Sequence, residues 1–192
     1  MALHIARHNF AVTFRRLLSA VAVLLLGAGL ALAQDADMDE LFARLQKADR
    51  AEAERIERLI VIEWSKSGSP AMDLLLQRGR EALDNGDTAV AIEHLTALTD
   101  HAPDFAEGWN ALATAYYQEG EFGPSVEDIA KTLTLNPRHF GALAGLGMIF
   151  EEIGEPEKAV EAYKAALAIH PQMQGVLEAV KRIEAETAGQ DL

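Results

Sequence analysis

The chain of 192 residues contains no cysteine, which excludes disulfide bonds, thiol nucleophiles and cysteine zinc sites. Its 30 acidic residues outnumber its 17 lysines and arginines, so the net charge of −13 disfavours nucleic acid and anionic lipid as partners. With 49% hydrophobic and 24% charged residues, the composition is that of a globular domain that can bury a core.

Residues 1–33 have the layout of a secretory signal peptide. The Arg15-Arg16 pair precedes an apolar run that ends at Ala33, with a second small residue, Ala31, two positions earlier. The run is shorter than the roughly 20 residues of a membrane span. We predict cleavage after Ala33, a periplasmic or secreted mature chain and no stable membrane insertion. An uncleaved anchor is the alternative, and both Sec and twin-arginine export stay open.

Residues 34–71 are predicted to form a pair of helices. The second helix opens with a capping box, Asp49 followed by Glu52. Its apolar face consists of Ile56, Leu59, Ile60 and Trp64. The pair is either a degenerate copy of the repeat that follows or an N-terminal cap, because Glu57 stands where that repeat has a small residue.

A period of 34 residues organises the next part of the chain. Prolines and glycines recur at this spacing, namely Pro103, Pro137 and Pro171, and Gly86, Gly120 and Gly154. Such a period corresponds to one helix-turn-helix unit. The units cover residues 72–105, 106–139 and 140–173, and residues 174–192 form a C-terminal capping helix and tail. The predicted fold is therefore an all-α helix-turn-helix repeat solenoid.

The units resemble the tetratricopeptide repeat (TPR) family, whose pattern is W-x2-L-G-x2-Y, then A-x3-F, then P. The second unit supplies Trp109, Leu112, Ala113, Tyr116, Ser125, Ile129, Thr132 and Pro137. The third unit supplies Leu143, Leu146, Gly147, Phe150, Ala159, Tyr163, Ala166 and Pro171. The first unit matches at Gly79, Ala91 and Pro103 but has Arg78 where leucine is usual. The resemblance implies structural roles for Trp109, Tyr116, Gly147 and the three prolines.

Three glycines lie close together in the first helix of the third unit. The resemblance makes Gly147 the small residue at which the two helices of a unit cross. Gly141 and Gly145 fall instead on or near the concave face, where TPR proteins form a groove. The register predicts a partner-binding groove formed by Glu107, Asn110, Thr114, Tyr117, Gln118, Gly141, Ala144, Gly145, Met148, Glu151 and Glu152. Close packing against the preceding unit is the alternative explanation of the two glycines.

The predicted groove would admit a bulky side chain from a peptide with basic neighbours. Between Glu81 and Ala130 the chain has eleven acidic residues and no lysine or arginine, so a basic partner would be attracted to this part. A merely well-solvated acidic surface is the alternative. The clamp with which some TPR proteins hold C-terminal carboxylates is not predicted, because Arg80 is the one basic residue at the corresponding positions.

Catalytic and metal-binding patterns are not apparent. His94 lacks the partner four residues away that a helical zinc pair needs, and His101, His139 and His170 fall in the turns between units. We therefore predict no enzyme activity, no cofactor and no metal. The favoured function is an exported adaptor that binds a protein or peptide in its concave groove. The alternative is a structural envelope protein that self-associates end to end through its repeats.

Overall fold

The computed structural model describes residues 38–190, and the side chains of residues 38–188. The predicted signal peptide lies outside the described residues. Helix α1 covers residues 38–45, of which residues 38–43 belong to a first compact unit that ends at Ala43. The remaining helices belong to the second unit. They are α2 (Arg50–Trp64), α3 (Pro70–Asp84), α4 (Thr88–His101), α5 (Ala106–Glu119), α6 (Phe122–Leu135), α7 (Phe140–Glu152), α8 (Pro156–Ile169) and α9 (Gln174–Gln190).

Consecutive helices from α3 to α8 pair as hairpins, α3 with α4, α5 with α6 and α7 with α8. Each hairpin stacks on the next through its second helix, so that α4 contacts α5, α6 contacts α7 and α8 contacts α9. One hairpin cannot bury its own apolar face, and stacking joins the faces into a continuous core. The predicted all-α solenoid is confirmed, and residues 38–190 contain no strand.

The glycines that recur every 34 residues lie in the turn inside each hairpin. Gly86, Gly120 and Gly154 have φ angles of 79°, 82° and 76°, a left-handed conformation that costs little only for glycine. At Gly120 the turn is closed by a 2.9 Å hydrogen bond from the amide of Glu121 to the carbonyl of Tyr116. These three glycines therefore end the first helix of each unit, as predicted.

The helices of a hairpin cross at a small residue. A Cβ built on Gly147 would lie 2.5 Å from Cδ1 of Tyr163, and one built on Gly79 would lie 2.5 Å from Leu95. In the middle hairpin the Ser125 hydroxyl donates a 2.7 Å hydrogen bond to the carbonyl of Ala113. A side chain larger than these would separate the two helices, so the small residues are structural.

Trp109 is only partly buried. Its indole N–H donates a 2.9 Å hydrogen bond to the carbonyl of Pro103, and the ammonium of Lys131 lies 5.9 Å from the ring centroid. The ring thus fixes the turn before α5 and packs less deeply than the repeat pattern suggests.

Helix α9 covers the apolar end of the last hairpin. Val176, Val180 and Ile183 are buried against Ala159 and Tyr163. The opposite face is polar and exposed, with Lys181, Arg182, Glu184 and Glu186. An apolar inner face and a charged outer face are what a terminal capping helix requires.

Helix α2 begins at Arg50, and the carboxylate of Asp49 accepts a 2.9 Å hydrogen bond from the amide of Glu52, as the predicted N-cap requires. Side chains of α2 reach the turns that precede α7 and α9, where Trp64 stacks on His139 and Glu57 meets His170. The interpretation of residues 34–71 as a degenerate repeat or a cap stays a prediction.

Candidate functional site

A pocket opens between α5, α6 and α7, and its volume is about 200 Å³. We call it the groove pocket. Predicted groove residues that line it are Asn110, Thr114, Tyr117, Gly141, Ala144, Gly145 and Met148. Residues beneath them that also line it are Ala113, Ser125, Ile129, Ala142 and Ile149. Apolar atoms form most of this lining, so the pocket suits an apolar side chain.

Gly141 and Gly145 leave space in the wall formed by α7. A Cβ built on Gly145 would first meet Cδ1 of Ile129 at 3.7 Å, and one built on Gly141 would meet the His139 ring at 3.5 Å. Both distances are ordinary van der Waals contacts. Packing therefore does not require glycine at either position, in contrast to Gly147.

Tyr117 and Met148 flank the opening of the groove pocket. The Tyr117 ring packs on Phe122 with centroids 5.8 Å apart, which holds it in place. Burial raises the pKa of Tyr117, and the nearby carboxylates of Glu152 and Glu151 add to the increase. Met148 is 44% exposed. One rigid and one flexible apolar side chain thus border the pocket.

Glu107 does not line the groove pocket. Its side chain is 6% exposed and forms an ion pair with Arg80. The second carboxylate oxygen of Glu107 lies 2.8 Å from Nε2 of His139. Nδ1 of His139 accepts the amide N–H of Ala142 at 3.0 Å, so Nε2 carries the proton and donates to Glu107. The predicted groove residue Glu107 is therefore part of a buried network that joins α3, α5 and α7.

This network was missed from the sequence, because its members are 27 and 32 residues apart and no short motif relates them. It also reaches the pocket, since the Asn110 amide donates a 3.3 Å hydrogen bond to Glu107.

Glu151, Glu152 and Gln118 also lie outside the lining of the groove pocket. Glu151 accepts a 2.6 Å hydrogen bond from the Tyr163 hydroxyl and pairs with Arg182 of α9. Burial opposes ionisation of Glu151, but the hydrogen bonds from Tyr163 and Arg182 outweigh it and hold the pKa of Glu151 below its usual value. Glu152 and Gln118 are exposed, so Glu152 is available to a ligand at the Tyr117 side of the pocket.

The comparisons with known proteins agree with this architecture. The tetratricopeptide repeat family model matches residues 76–123 and 120–173. A TPR repeat-containing protein of Rhizobium etli is 33% identical over 153 residues, which cover 79% of this chain and 75% of that protein. The chain belongs to the tetratricopeptide repeat family.

The chain is also similar to a yeast TPR protein and to a TPR domain of known structure. The small glutamine-rich tetratricopeptide repeat-containing protein 2 of Saccharomyces cerevisiae is 29% identical over 148 residues, which cover 77% of this chain but 42% of the yeast protein. The first TPR of Spaghetti (RPAP3), solved with an HSP90 peptide, has a TM-score of 0.60 at 21% identity and covers 62% of this chain and 95% of that structure. At this identity the structural likeness supports the fold alone.

The guanidinium of Arg80 is already paired within the protein. Arg80 is the basic residue on the concave positions that some TPR proteins use to hold a carboxylate. In this TPR chain its guanidinium pairs with Glu107 and donates a 3.0 Å hydrogen bond to the Ser65 hydroxyl. Its charge is thus already neutralised by Glu107.

Residues 38–190 contain no cluster of three or more histidine and acidic side chains placed to hold a metal ion. Within the same residues, no helix is both long enough and apolar enough to span a membrane.

Proposed function

We propose that this TPR protein is a non-catalytic adaptor that binds a segment of another protein. An apolar side chain of the segment enters the groove pocket, and basic residues flank it. TPR domains mediate protein–protein interaction, and the Spaghetti domain was solved with an HSP90 peptide. The apolar anchor and its basic neighbours are specific to the present proposal.

The observation that supports the proposal most directly is the pair Gly141 and Gly145. A glycine inside a helix costs about 1 kcal/mol relative to alanine. Because a methyl group would fit at both positions without a clash, packing gives no reason for this cost. A larger side chain at either position would fill the groove pocket. The glycines therefore keep the pocket open.

The size of the pocket suggests the kind of anchor. An apolar cavity of about 150 Å³ is enough to bind benzene. The groove pocket, at about 200 Å³, would hold a phenylalanine ring or a branched aliphatic side chain. Burial of such a side chain contributes about 1.5 to 3 kcal/mol, which corresponds to roughly a 10- to 150-fold gain in affinity.

The charge of the surroundings favours basic neighbours for this anchor. The stretch from Glu81 to Ala130 has no cation, and Glu152 presents an exposed carboxylate beside Tyr117. A cationic segment would be attracted to this field, and the attraction would weaken with salt.

Export is a separate part of the proposal. The pattern of residues 1–33 supports a cleaved signal peptide, which would leave a mature chain with a net charge of −16. N-terminal sequencing of the protein recovered from its own cells tests this directly. A first residue of Gln34 is expected, and an intact Met1 in a membrane fraction would contradict export by cleavage.

Binding can be tested with short fluorescent peptides on the chain that begins at Gln34. The probes are KKFKK, KKAKK and EEFEE, each extended by glycine at both ends, and the readout is anisotropy at low and moderate salt. We expect KKFKK to bind at least tenfold more tightly than KKAKK, and EEFEE to show no binding.

The variant Gly145→Leu fills the pocket and should abolish the preference for phenylalanine. Gly123→Leu is its matched control, because a Cβ on Gly123 meets no described atom within 4 Å, and it should behave as the wild type. Equal affinity for KKFKK and KKAKK would show that charge alone attracts the peptide and would overturn the pocket. Concentration-dependent oligomers without a preference for phenylalanine would favour the self-associating function.

A further inference from the structure

Helix α2 is buried along one face. Ala53, Ile56 and Ile60 are fully buried and follow one another at spacings of three and four residues, so they form a stripe along the helix. Trp64, four residues after Ile60, continues the same stripe. On the other side of the helix Leu59 is 49% exposed.

The aromatic end of the stripe lies on the turn before α7. The Trp64 indole stacks on the His139 ring, with centroids 4.4 Å apart and planes 21° apart. Trp64 also lies 5.1 Å from the Phe140 ring, and Phe140 in turn contacts His170 edge to face at 5.1 Å. We call His139, Phe140 and His170 the aromatic platform. It receives α2 at the start of α7 and at the end of α8.

Polar contacts hold the remainder of α2 in register. The carboxylate of Glu57, one turn after Ala53, lies 3.2 Å from Nε2 of His170. The Gln46 amide, four residues before α2, donates hydrogen bonds of 2.6 and 2.8 Å to the carbonyl oxygens of Ala168 and Ile169 at the end of α8. The groups that these contacts use on the repeats are two backbone carbonyls and one imidazole.

The platform is fixed by the repeats themselves. Nδ1 of His139 accepts the amide N–H of Ala142, and Nδ1 of His170 accepts the amide N–H of Gln172 at 3.3 Å. Both imidazoles are therefore oriented by their own turns, and Nε2 of His170 carries a proton that it donates to Glu57. A surface that is ordered before its ligand arrives loses little entropy on binding.

An open cleft of about 510 Å³ lies along the charged side of the first half of α2, between this helix and α7, α8 and α9. The α2 side of this cleft is formed by Arg50, Glu54 and Glu57. The facing side includes Met148, Tyr163 and Val176. Such a gap lowers the packing energy that keeps α2 in place.

We propose that the aromatic platform is a binding site for an amphipathic helix, and that α2 is its intramolecular ligand, which exchanges with a helix from a partner protein. The buried stripe of α2 and the contacts of Trp64 and Glu57 define the partner. It carries small or branched apolar residues at positions i, i+3 and i+7, an aromatic residue at i+11 and a carboxylate at i+4 for His170. This is recognition of a helix by a groove. The three residues of the aromatic platform do not line the groove pocket, and the proposal does not depend on a peptide binding there.

The chain beginning at Gln34 provides both the site and the probe. The probe is a fluorescein-labelled synthetic peptide of residues 48–66, and the readout is anisotropy. The inward variant Ile56→Asp with Ile60→Asp detaches the tethered α2. The outward variant Leu59→Asp with Ile62→Asp places the same charges on exposed positions of the same helix and is the matched control.

A tethered segment competes at an effective concentration in the millimolar range. The inward variant should therefore bind the peptide at least tenfold more tightly than the wild type and the outward variant. A peptide with both isoleucines replaced by aspartate should not bind. A folded inward variant that fails to bind the 48–66 peptide would overturn the proposal.

Amide hydrogen exchange of the wild-type chain covers the case in which the inward variant does not fold. If α2 is exchangeable, amides of residues 53–64 exchange by a local opening ahead of those in α5 to α8. If they exchange only together with α5 to α8, then α2 is part of the cooperative core and the proposal is wrong. Neither measurement uses the KKFKK probe, so failure here is distinct from failure of the groove pocket.

Discussion

Alanine at two glycines of one helix should change stability in opposite directions. Gly145→Ala removes a helix-interior glycine and places a methyl group 3.7 Å from Ile129, so it should stabilise the chain by about 0.5 to 1 kcal/mol. Gly147→Ala has the same intrinsic gain but would place its methyl 2.5 Å from Cδ1 of Tyr163. Carbon atoms in contact are about 3.5 to 4.0 Å apart, so the ring or the helix must move by roughly 1 Å.

Tyr163 cannot move without further loss. Its side chain is buried, and its hydroxyl donates a hydrogen bond to Glu151, which anchors the ring at its far end. Overpacking of this kind costs about 1 to 3 kcal/mol, and the severity of the clash puts the net destabilisation by Gly147→Ala near 2 kcal/mol.

Urea denaturation of the chain beginning at Gln34, followed by circular dichroism at 222 nm, measures both effects. Gly141→Ala serves as a second open position and should behave like Gly145→Ala. In a Tyr163→Leu background the penalty of Gly147→Ala should shrink, because the ring it meets is gone. If both alanines stabilise the chain, or both destabilise it to the same extent, the distinction between crossing and groove glycines is refuted.

Three further perturbations test the buried polar groups and the turn before α5. Burial raises the pKa of Asp128 to about 6, with a contribution from Glu127, and no described residue donates a hydrogen bond to its Oδ2. Because the pKa of Asp128 is raised in the folded state, the protein loses stability as the pH rises from about 4 through about 6. Asp128→Asn should therefore stabilise the chain by about 2 kcal/mol at pH 7.5 and have little effect at pH 4, as measured in thermal melts. Equal stabilisation at both pH values would contradict this. Arg80→Met removes the cation that is paired with the buried carboxylate of Glu107 and should lower the free energy of unfolding by about 2 kcal/mol. The loss should be markedly smaller in a Glu107→Gln background, and a double-mutant cycle measured by urea denaturation would show this difference. Trp109→Ala should cost about 2 kcal/mol rather than the larger loss of a fully buried tryptophan, and a near-neutral urea midpoint would mean that its hydrogen bond to the preceding turn does not contribute.

The repeat pattern made most of the fold predictable, because one physical constraint recurs at each period. Gly86, Gly120 and Gly154 must adopt a left-handed turn, and the crossing residues must be small. Once the register was known, helix geometry also placed Tyr117 and Gly145 on the same concave side, where the pocket is found. Both the turn glycines and the concave positions follow from residue spacings within one or two units, and such spacings can be read directly from the sequence.

The position of α2 and the burial of Glu107 could not be predicted in this way. Helix α2 stands outside the period, and its contact from Glu57 to His170 joins residues 113 positions apart. Glu107 looked like a groove residue because its helical position faces the concave side. Its burial depends on Arg80 and His139, which come from the helices before and after it. A pattern within one unit contains no information about such partners.

The two proposed sites are joined by a chain of contacts, and this has a testable consequence. Trp64 of α2 stacks on His139, whose Nε2 donates to Glu107, and Glu107 accepts a hydrogen bond from Asn110 in the lining of the groove pocket. Displacement of α2 removes the indole from His139 and so alters the surroundings of the group that orients Asn110. Coupling between sites is reciprocal, so the factor by which KKFKK changes the affinity for the 48–66 peptide must equal the factor by which that peptide changes the affinity for KKFKK. This ratio of affinities is measured on the inward variant. A ratio that differs from one, and that returns towards one when Glu107→Gln is added, would assign the coupling to this chain of contacts. A ratio of one would show that the platform and the pocket bind independently.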